Sequence, residues 1–224
     1  MSTIRKAARA DLDAVCRIYD QIHTAEERGE ATIGWQRGVY PERETAEAAL
    51  TRGDLFVQEQ DGEIVGTAIL NQNKVDSYTG ANWRYDAPDS EVMVLHTLVI
   101  DPEAKSRGLG REFAAFYEGY ALAHGCRYLR IDTNARNARA RRFYQKLGYA
   151  EIGVVPCTFN GIAGVQLVLL EKRLPPPGQI TSVAAGSLCA SKRSPRRGGK
   201  SRRTKRRACA RACRPCPSTT TACP

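Results

Sequence analysis

Apolar positions along the first 174 residues recur with two alternating periods. From Asp11, Leu12, Val15, Cys16, Tyr19 and Ile22 return at helical spacing, after a short extended stretch at Ile4 to Ala7 that reads as a first strand. Gly29 to Tyr40 breaks the pattern. A second helix is expected from about Glu42 to Thr51, introduced by Pro41 and stopped by Gly53. Leu55 to Gln60 and Glu63 to Asn71 flank Asp61-Gly62, a pair suited to positive φ that predicts a tight hairpin. Gln72 to Ser90 then reads as a loop.

Val92 to Ile100 is almost unbroken apolar and β-branched, as expected of a central strand covered on both faces. Strict alternation assigns Val92, Val94, His96, Leu98 and Ile100 to one face and Glu91, Met93, Leu95, Thr97 and Val99 to the other. Gly108 to His124 is a predicted helix with Leu109, Phe113, Phe116 and Tyr120 on one face. A strand at Tyr128 to Asp132 and a helix from Asn137 to Leu147, ended by Gly148, follow. Two last strands, Tyr149 to Val155 and Val165 to Glu171, enclose a turn at Phe159-Asn160-Gly161. Hairpins and crossovers coexist, so the fold class is α/β (α+β), a mixed central β-sheet flanked by helices.

Composition changes the picture at one place. Of the chain's 34 Lys and Arg residues, twelve lie beyond Leu174, where there is no Asp or Glu. The body, residues 1–174, therefore keeps 22 basic residues against 24 acidic ones, and the net charge of +10 belongs to the tail, residues 175–224. Pro175-Pro176-Pro177-Gly178 ends regular structure. Lys192 to Arg214 interleaves its cations with Ser, Pro, Gly and Ala, too little apolar surface to fold alone, so a disordered basic tail is expected. Such a tail either captures polyanions such as nucleic acid nonspecifically or is an unconstrained extension, for example an out-of-frame reading of GC-rich DNA. Cys209, Cys213 and Cys216 lack a neighbouring His and match no usual zinc spacing, so no metal is expected. Cys16, Cys126 and Cys157 read as reduced thiols. No apolar run reaches the ~18 residues of a membrane span, and Met1 to Ala10 lacks the apolar block of a secretory signal. A cytoplasmic protein without membrane contact is the expectation, and a homodimer is compatible with it.

Candidate chemistry concentrates in two stretches. Asp101-Pro102-Glu103-Ala104-Lys105-Ser106-Arg107-Gly108-Leu109-Gly110-Arg111 places a glycine-rich turn between a buried strand and an amphipathic helix, where free backbone N–H groups and the helix dipole favour an anion. Neither the nucleoside-triphosphatase loop nor the dinucleotide fingerprint fits: no Gly-Lys-Ser/Thr follows, and Phe113 stands where a third glycine is required. The second stretch is Asn137-Ala138-Arg139-Ala140-Arg141-Arg142-Phe143-Tyr144-Gln145-Lys146-Leu147-Gly148-Tyr149.

Together these stretches resemble the GCN5-related N-acetyltransferase (GNAT) superfamily. Its acetyl-CoA loop reads Gln/Arg-x-x-Gly-x-Gly/Ala, matched by Gly108 and Gly110 with Lys105 in place of Gln or Arg. Its later motif, Asn-x-x-Ala-x-x-x-Tyr-x-x-x-Gly-Phe/Tyr, is matched by Asn137, Ala140, Tyr144, Gly148 and Tyr149. The resemblance implies a GNAT-type domain over 1–174 and direct transfer of an acetyl group from acetyl-CoA to a primary amine, a small molecule or a peptide. It implies a cofactor-binding set of Leu98, Val99 and Ile100, then Lys105, Ser106, Arg107, Gly108, Leu109, Gly110 and Arg111, with Asn137 and Ala140. Tyr144 is the implied general acid for the departing thiolate, or else a packing residue at the edge of the Ala140, Phe143 and Leu147 face. His96, the one polar residue on its face of the central strand, is either the general base or a hydrogen-bonded core histidine, and Glu91 is the reserve base. Trp35, Tyr40, Trp83 and Tyr85, in aperiodic segments, are candidates for the acceptor pocket, as is the turn at Phe159. The alternative is a protein that binds acetyl-CoA without useful turnover and associates with nucleic acid through its tail.

Overall fold

Local signals set the ends of most elements. The computed structural model describes residues 2–104 and 108–176, all within one compact unit, Met1–Thr181. The expectations placed on Lys105, Ser106 and Arg107, and on the tail beyond residue 176, lie outside the described residues. In chain order the elements are β1 (Ser2–Lys6), α1 (Leu12–Glu27), α2 (Arg43–Arg52), β2 (Leu55–Gln60), β3 (Glu63–Asn71), β4 (Val92–Ile100), α3 (Leu109–Ala123), β5 (Tyr128–Asn134), α4 (Ala138–Lys146), β6 (Ala150–Phe159) and β7 (Ile162–Arg173). Asp61 and Gly62 both take positive φ, 54° and 84°, so β2 and β3 close with the two-residue turn their sequence predicts.

The strands form one seven-stranded sheet in the order β1-β2-β3-β4-β5-β7-β6. Every neighbouring pair is antiparallel except β4 and β5, which are parallel and joined across α3. One face buries Phe56, Leu70, Met93, Leu95, Leu129, Ile131 and Leu170 under α3 and α4. The other buries Leu55, Val57, Ile69 and Val99 under α1 and α2. The stripe that α3 buries is Leu109, Phe113, Ala114, Tyr117 and Ala121. Phe116 and Tyr120, expected at its centre, sit at its edge against Phe56. Tyr117 takes the central place because its phenol finds partners there, the carbonyls of Met93 at 2.7 Å and Arg130 at 3.2 Å.

The expected strict alternation of β4 fails at Thr97. Pairing with β3 passes from Thr67↔Val99 to Ile69↔His96, so β4 carries one extra residue there, a bulge. Thr97 has φ 52°, a left-handed conformation that a β-branched residue rarely adopts. The bulge resets the phase, and Leu98 and Ile100 pack on the same side as Met93 and Leu95 rather than with Val92 and Val94. It also coincides with the loss of pairing to β5. The two strands are in register only from Val92↔Tyr128 to Leu95↔Ile131, while β4 continues to Ile100 and β5 to Asn134. A mixed sheet thus opens a wedge between its two central strands.

Candidate active site

The wedge is the floor of a cavity of about 360 Å³. Leu95, His96, Thr97 and Leu98 line it from β4, Asp132, Thr133 and Asn134 from β5, and Asn137, Ala140 and Tyr144 from α4 and its cap. Trp35 and Tyr40, in the segment between α1 and α2, and Phe159 with Asn160, at the tip of the β6–β7 hairpin, close the far side. These four residues were expected at an acceptor pocket and are brought together, with Tyr40 edge-on to Trp35 at 5.8 Å and to Phe159 at 6.3 Å. Trp83 and Tyr85 are not in the wall. Trp83 lies 4.0 Å over the guanidinium of Arg130, and Tyr85 packs 5.7 Å from Tyr128.

At the other end of the wedge stands α3, capped by Gly108 in the left-handed conformation at φ 75°. Its first bonded amides are those of Arg111 and Glu112, both donating to the Gly108 carbonyl. Among the described residues the N–H groups of Gly108, Leu109 and Gly110 have no acceptor, and the positive end of a 15-residue helix lies behind them. A Cβ at Gly110 would meet only ordinary contacts, Phe143 at 3.6 Å and Ile100 at 3.9 Å. The packing around residue 110 therefore does not demand glycine. Leu109 is buried and Arg111 exposed. Leu98 faces the cavity, whereas Val99 and Ile100 do not line it. Val99 is buried on the α1 side of the sheet and Ile100 packs on the α3 side.

Asn137 begins α4, its Oδ1 accepting the Ala140 N–H at 3.0 Å, so the motif asparagine both caps the helix and lines the cavity. That cap aims the helix so that Tyr144, two turns on, reaches the wall. Its ring packs edge-on to Tyr149 at 5.6 Å and Phe143 at 5.1 Å. Burial, with the nearby Asp132 charge adding to it, holds its phenol well above the ordinary tyrosine range, so it stays protonated.

His96 is bonded as a structural histidine. Its Nε2 lies 3.1 Å from both the Asn71 Oδ1 and the Asn73 carbonyl, two acceptors, so Nε2 carries the proton and donates. Burial lowers its pKa to about 4, which makes it a poor base at neutral pH. Glu91 ends a 3₁₀ turn, Asp89–Glu91, before β4 begins and is not in the cavity wall. At a rise of about 3.3 Å per residue, the seven residues to Leu98 put it about 23 Å from that part of the wedge.

A carboxylate that the sequence reading passed over lies in the wall. Asp132 on β5 is half-buried, its Oδ2 accepts the Tyr78 phenol O–H at 2.8 Å, and burial raises its pKa to about 6. The signal was available: an acid inside a strand of the sheet, on the face opposite Leu129 and Ile131, five residues before the motif asparagine. Among the described residues no group of three or more His, Cys, Asp or Glu is placed to hold a metal, and no helix is long and apolar enough to cross a membrane.

Comparison with known proteins places this geometry. The model of the Acetyltransferase (GNAT) family matches residues 14–149. An uncharacterized N-acetyltransferase of Methanocaldococcus jannaschii is 26% identical over 159 residues, 68% of this chain and 62% of that protein's length. A GNAT-family acetyltransferase from Streptococcus agalactiae shares the fold with a TM-score of 0.64 at 22% identity, over 78% of this chain and 96% of that one. The yncA protein of Salmonella typhimurium, solved with its cofactor acetyl-CoA, has a TM-score of 0.56 at 19% identity, over 78% of this chain and 95% of that one.

Proposed function

The chain belongs to the acetyltransferase (GNAT) family, and on that premise we propose that it transfers an acetyl group from acetyl-CoA to a primary amine in the β4–β5 wedge. The residues present suit the donor. The amides of Gly108 to Gly110, without an acceptor among the described residues, take the pyrophosphate, and the β4 backbone beyond Leu95, released from β5, can pair with the amides of an extended pantetheine arm. The thioester is then near Tyr144, and the acceptor enters from the side of Trp35, Tyr40 and Phe159.

The site must move two protons. An aliphatic ammonium has a pKa of about 10.4, so the acceptor gives up one proton to solvent before it attacks, and its neutral nitrogen sheds another as its bond to the acetyl carbon forms. The sulfur must gain one as the C–S bond breaks. Asp132 receives the proton shed on attack, since a carboxylate titrating near 6 is ionised at neutral pH and more basic than an exposed aspartate. Tyr144 donates the sulfur's proton, retained until then because burial disfavours the phenolate. Return of the Asp132 proton to Tyr144, directly or through solvent, resets the site. The observation that carries this reading is the convergence of a raised carboxyl and a buried phenol on one wedge beside a bare helix end. Asp132→Asn tests it: kcat/KM should fall by ~10²-fold and lose its acidic limb near pH 6, with acetyl-CoA affinity unchanged by calorimetry. A variant that keeps the parent's limb removes Asp132 as the base.

A further inference from the structure

The segment between β3 and β4 has no regular strand or helix beyond two 3₁₀ turns, yet it is fastened to the sheet, at Asn73 by His96 and further along by Tyr78 and Trp83. Tyr78, only 3% exposed, donates its phenol proton to Asp132 Oδ2 at 2.8 Å. Five residues on, Trp83 donates its indole N–H to the Tyr78 carbonyl at 3.3 Å, packs edge-on to the Tyr78 ring at 5.0 Å and covers the Arg130 guanidinium at 4.0 Å. Arg130 is paired with Glu171 of β7 at 3.4 Å, both side chains buried, and the other oxygen of Glu171 accepts the Arg84 N–H at 2.9 Å. A buried ion pair is weak evidence of net stabilisation but fixes geometry well when its hydrogen bonds are complete. Here the pair pins residues 83 and 84 under the sheet, and the Trp83 contacts transmit that position to Tyr78.

We propose that Tyr78 is a positioning residue for acetyl transfer: anchored by Trp83 on the Arg130–Glu171 pair, it holds Oδ2 of Asp132 and presents Oδ1 to the acceptor nitrogen. The inference rests on Asp132 being the proton acceptor. Among the described residues Oδ1 has no hydrogen-bond partner, so Tyr78 selects which oxygen is spent on structure and which is left for the substrate. The other groups facing Asp132 are phenols and one ion pair. Tyr40 approaches from the segment after α1, Tyr144 from α4, and Arg130 with its Glu171 counter-charge lies two residues back along β5. His96 stands across the wedge on β4, held neutral in its bonds to Asn71 and Asn73. No other described residue donates a hydrogen bond to this carboxylate, so the Tyr78 bond is the one that favours its ionised form.

The test reads Asp132 itself and needs no acceptor. In the full-length chain with 13C-labelled aspartate and saturating CoA, the Asp132 carboxyl should titrate near 6 in the parent. Tyr78→Phe keeps the ring and removes the donor, so the midpoint should rise by about one pH unit, the size of one net hydrogen bond. 3-Fluorotyrosine placed site-specifically at position 78 is a stronger donor of nearly the same shape and should lower the midpoint; it covers the case in which the phenylalanine variant unfolds. A residue that merely fills space would change melting temperature and turnover at every pH and leave both midpoints in place, an outcome that overturns the proposal. Failure of the underlying reading looks different. In that case Asp132→Asn would retain the acidic limb of kcat/KM while the Asp132 midpoint still answered to Tyr78.

Discussion

At the scale of single residues, two titratable groups lining the same cavity are shifted in opposite senses by the same cause. Burial disfavours charge, which lowers His96 to about 4 and raises Asp132 to about 6. The consequences for stability oppose each other. His96 binds its proton less readily folded than unfolded, so stability is lost as pH falls from about 6.5 toward 4. Asp132 binds its proton more readily folded, so its share of stability is recovered as pH falls from about 6 toward 4. Thermal melts of His96→Gln against the parent should therefore show the variant destabilised at pH 7, where the bonds to Asn71 and Asn73 are weakened, with the gap narrowing toward pH 4. A constant gap would mean that His96 does not titrate in this window. The same variant should keep the acidic limb of turnover, in contrast to Asp132→Asn.

Elements were legible in the sequence wherever a local signal fixed them. Asp61-Gly62 and Asn160-Gly161 both adopt the positive φ values their turns need, and the helix expected from Asn137 starts there, with Asn137 as its cap. What could not be read was the phase of β4, because a bulge adds one residue without altering composition, and Thr97 is not a residue that advertises positive φ. The same blind spot hid the site: alternation drew attention to His96, the polar residue of β4, while Asp132 acquires its meaning from a tyrosine 54 positions away. The last two strands were expected shorter than Ala150–Phe159 and Ile162–Arg173. β6 runs on through Pro156, which an edge strand tolerates. The helix end proposed to bind the donor makes its own prediction. Gly108→Ala forces a side chain into a left-handed position and should cost about 1 kcal/mol of stability by denaturant unfolding. Gly110→Asp meets no such strain, so it should fold normally and lose at least tenfold in acetyl-CoA affinity, because its charge opposes the pyrophosphate at a bare helix end. Unchanged affinity in the folded Gly110 variant would take α3 out of the site.

For the whole molecule, a boundary at Leu174 is a proposal that truncation tests. Leu174 is 4% exposed, and its N–H and carbonyl both bond to Arg127, whereas Pro175 and Pro176 are exposed. Removing residues 175–224 should leave the melting temperature and acetyl transfer unchanged, and should abolish the salt-sensitive capture of DNA or heparin expected of twelve added cations. Loss of folding or turnover on truncation would show instead that the tail belongs to the working unit.

The central claim is that the β4–β5 wedge transfers acetyl to an amine, with Tyr144 protonating the sulfur. Its most direct test is release of free CoA from acetyl-CoA by the full-length protein across a panel of primary amines, with the acetylated amine identified by mass spectrometry. Amine-dependent release, matched mole for mole by acetylated product and reduced by ~10²-fold in Tyr144→Phe while acetyl-CoA binding persists, is the predicted result. Acetyl-CoA that binds normally but yields the same CoA release with and without amine, or a Tyr144→Phe variant as fast as the parent, would contradict it.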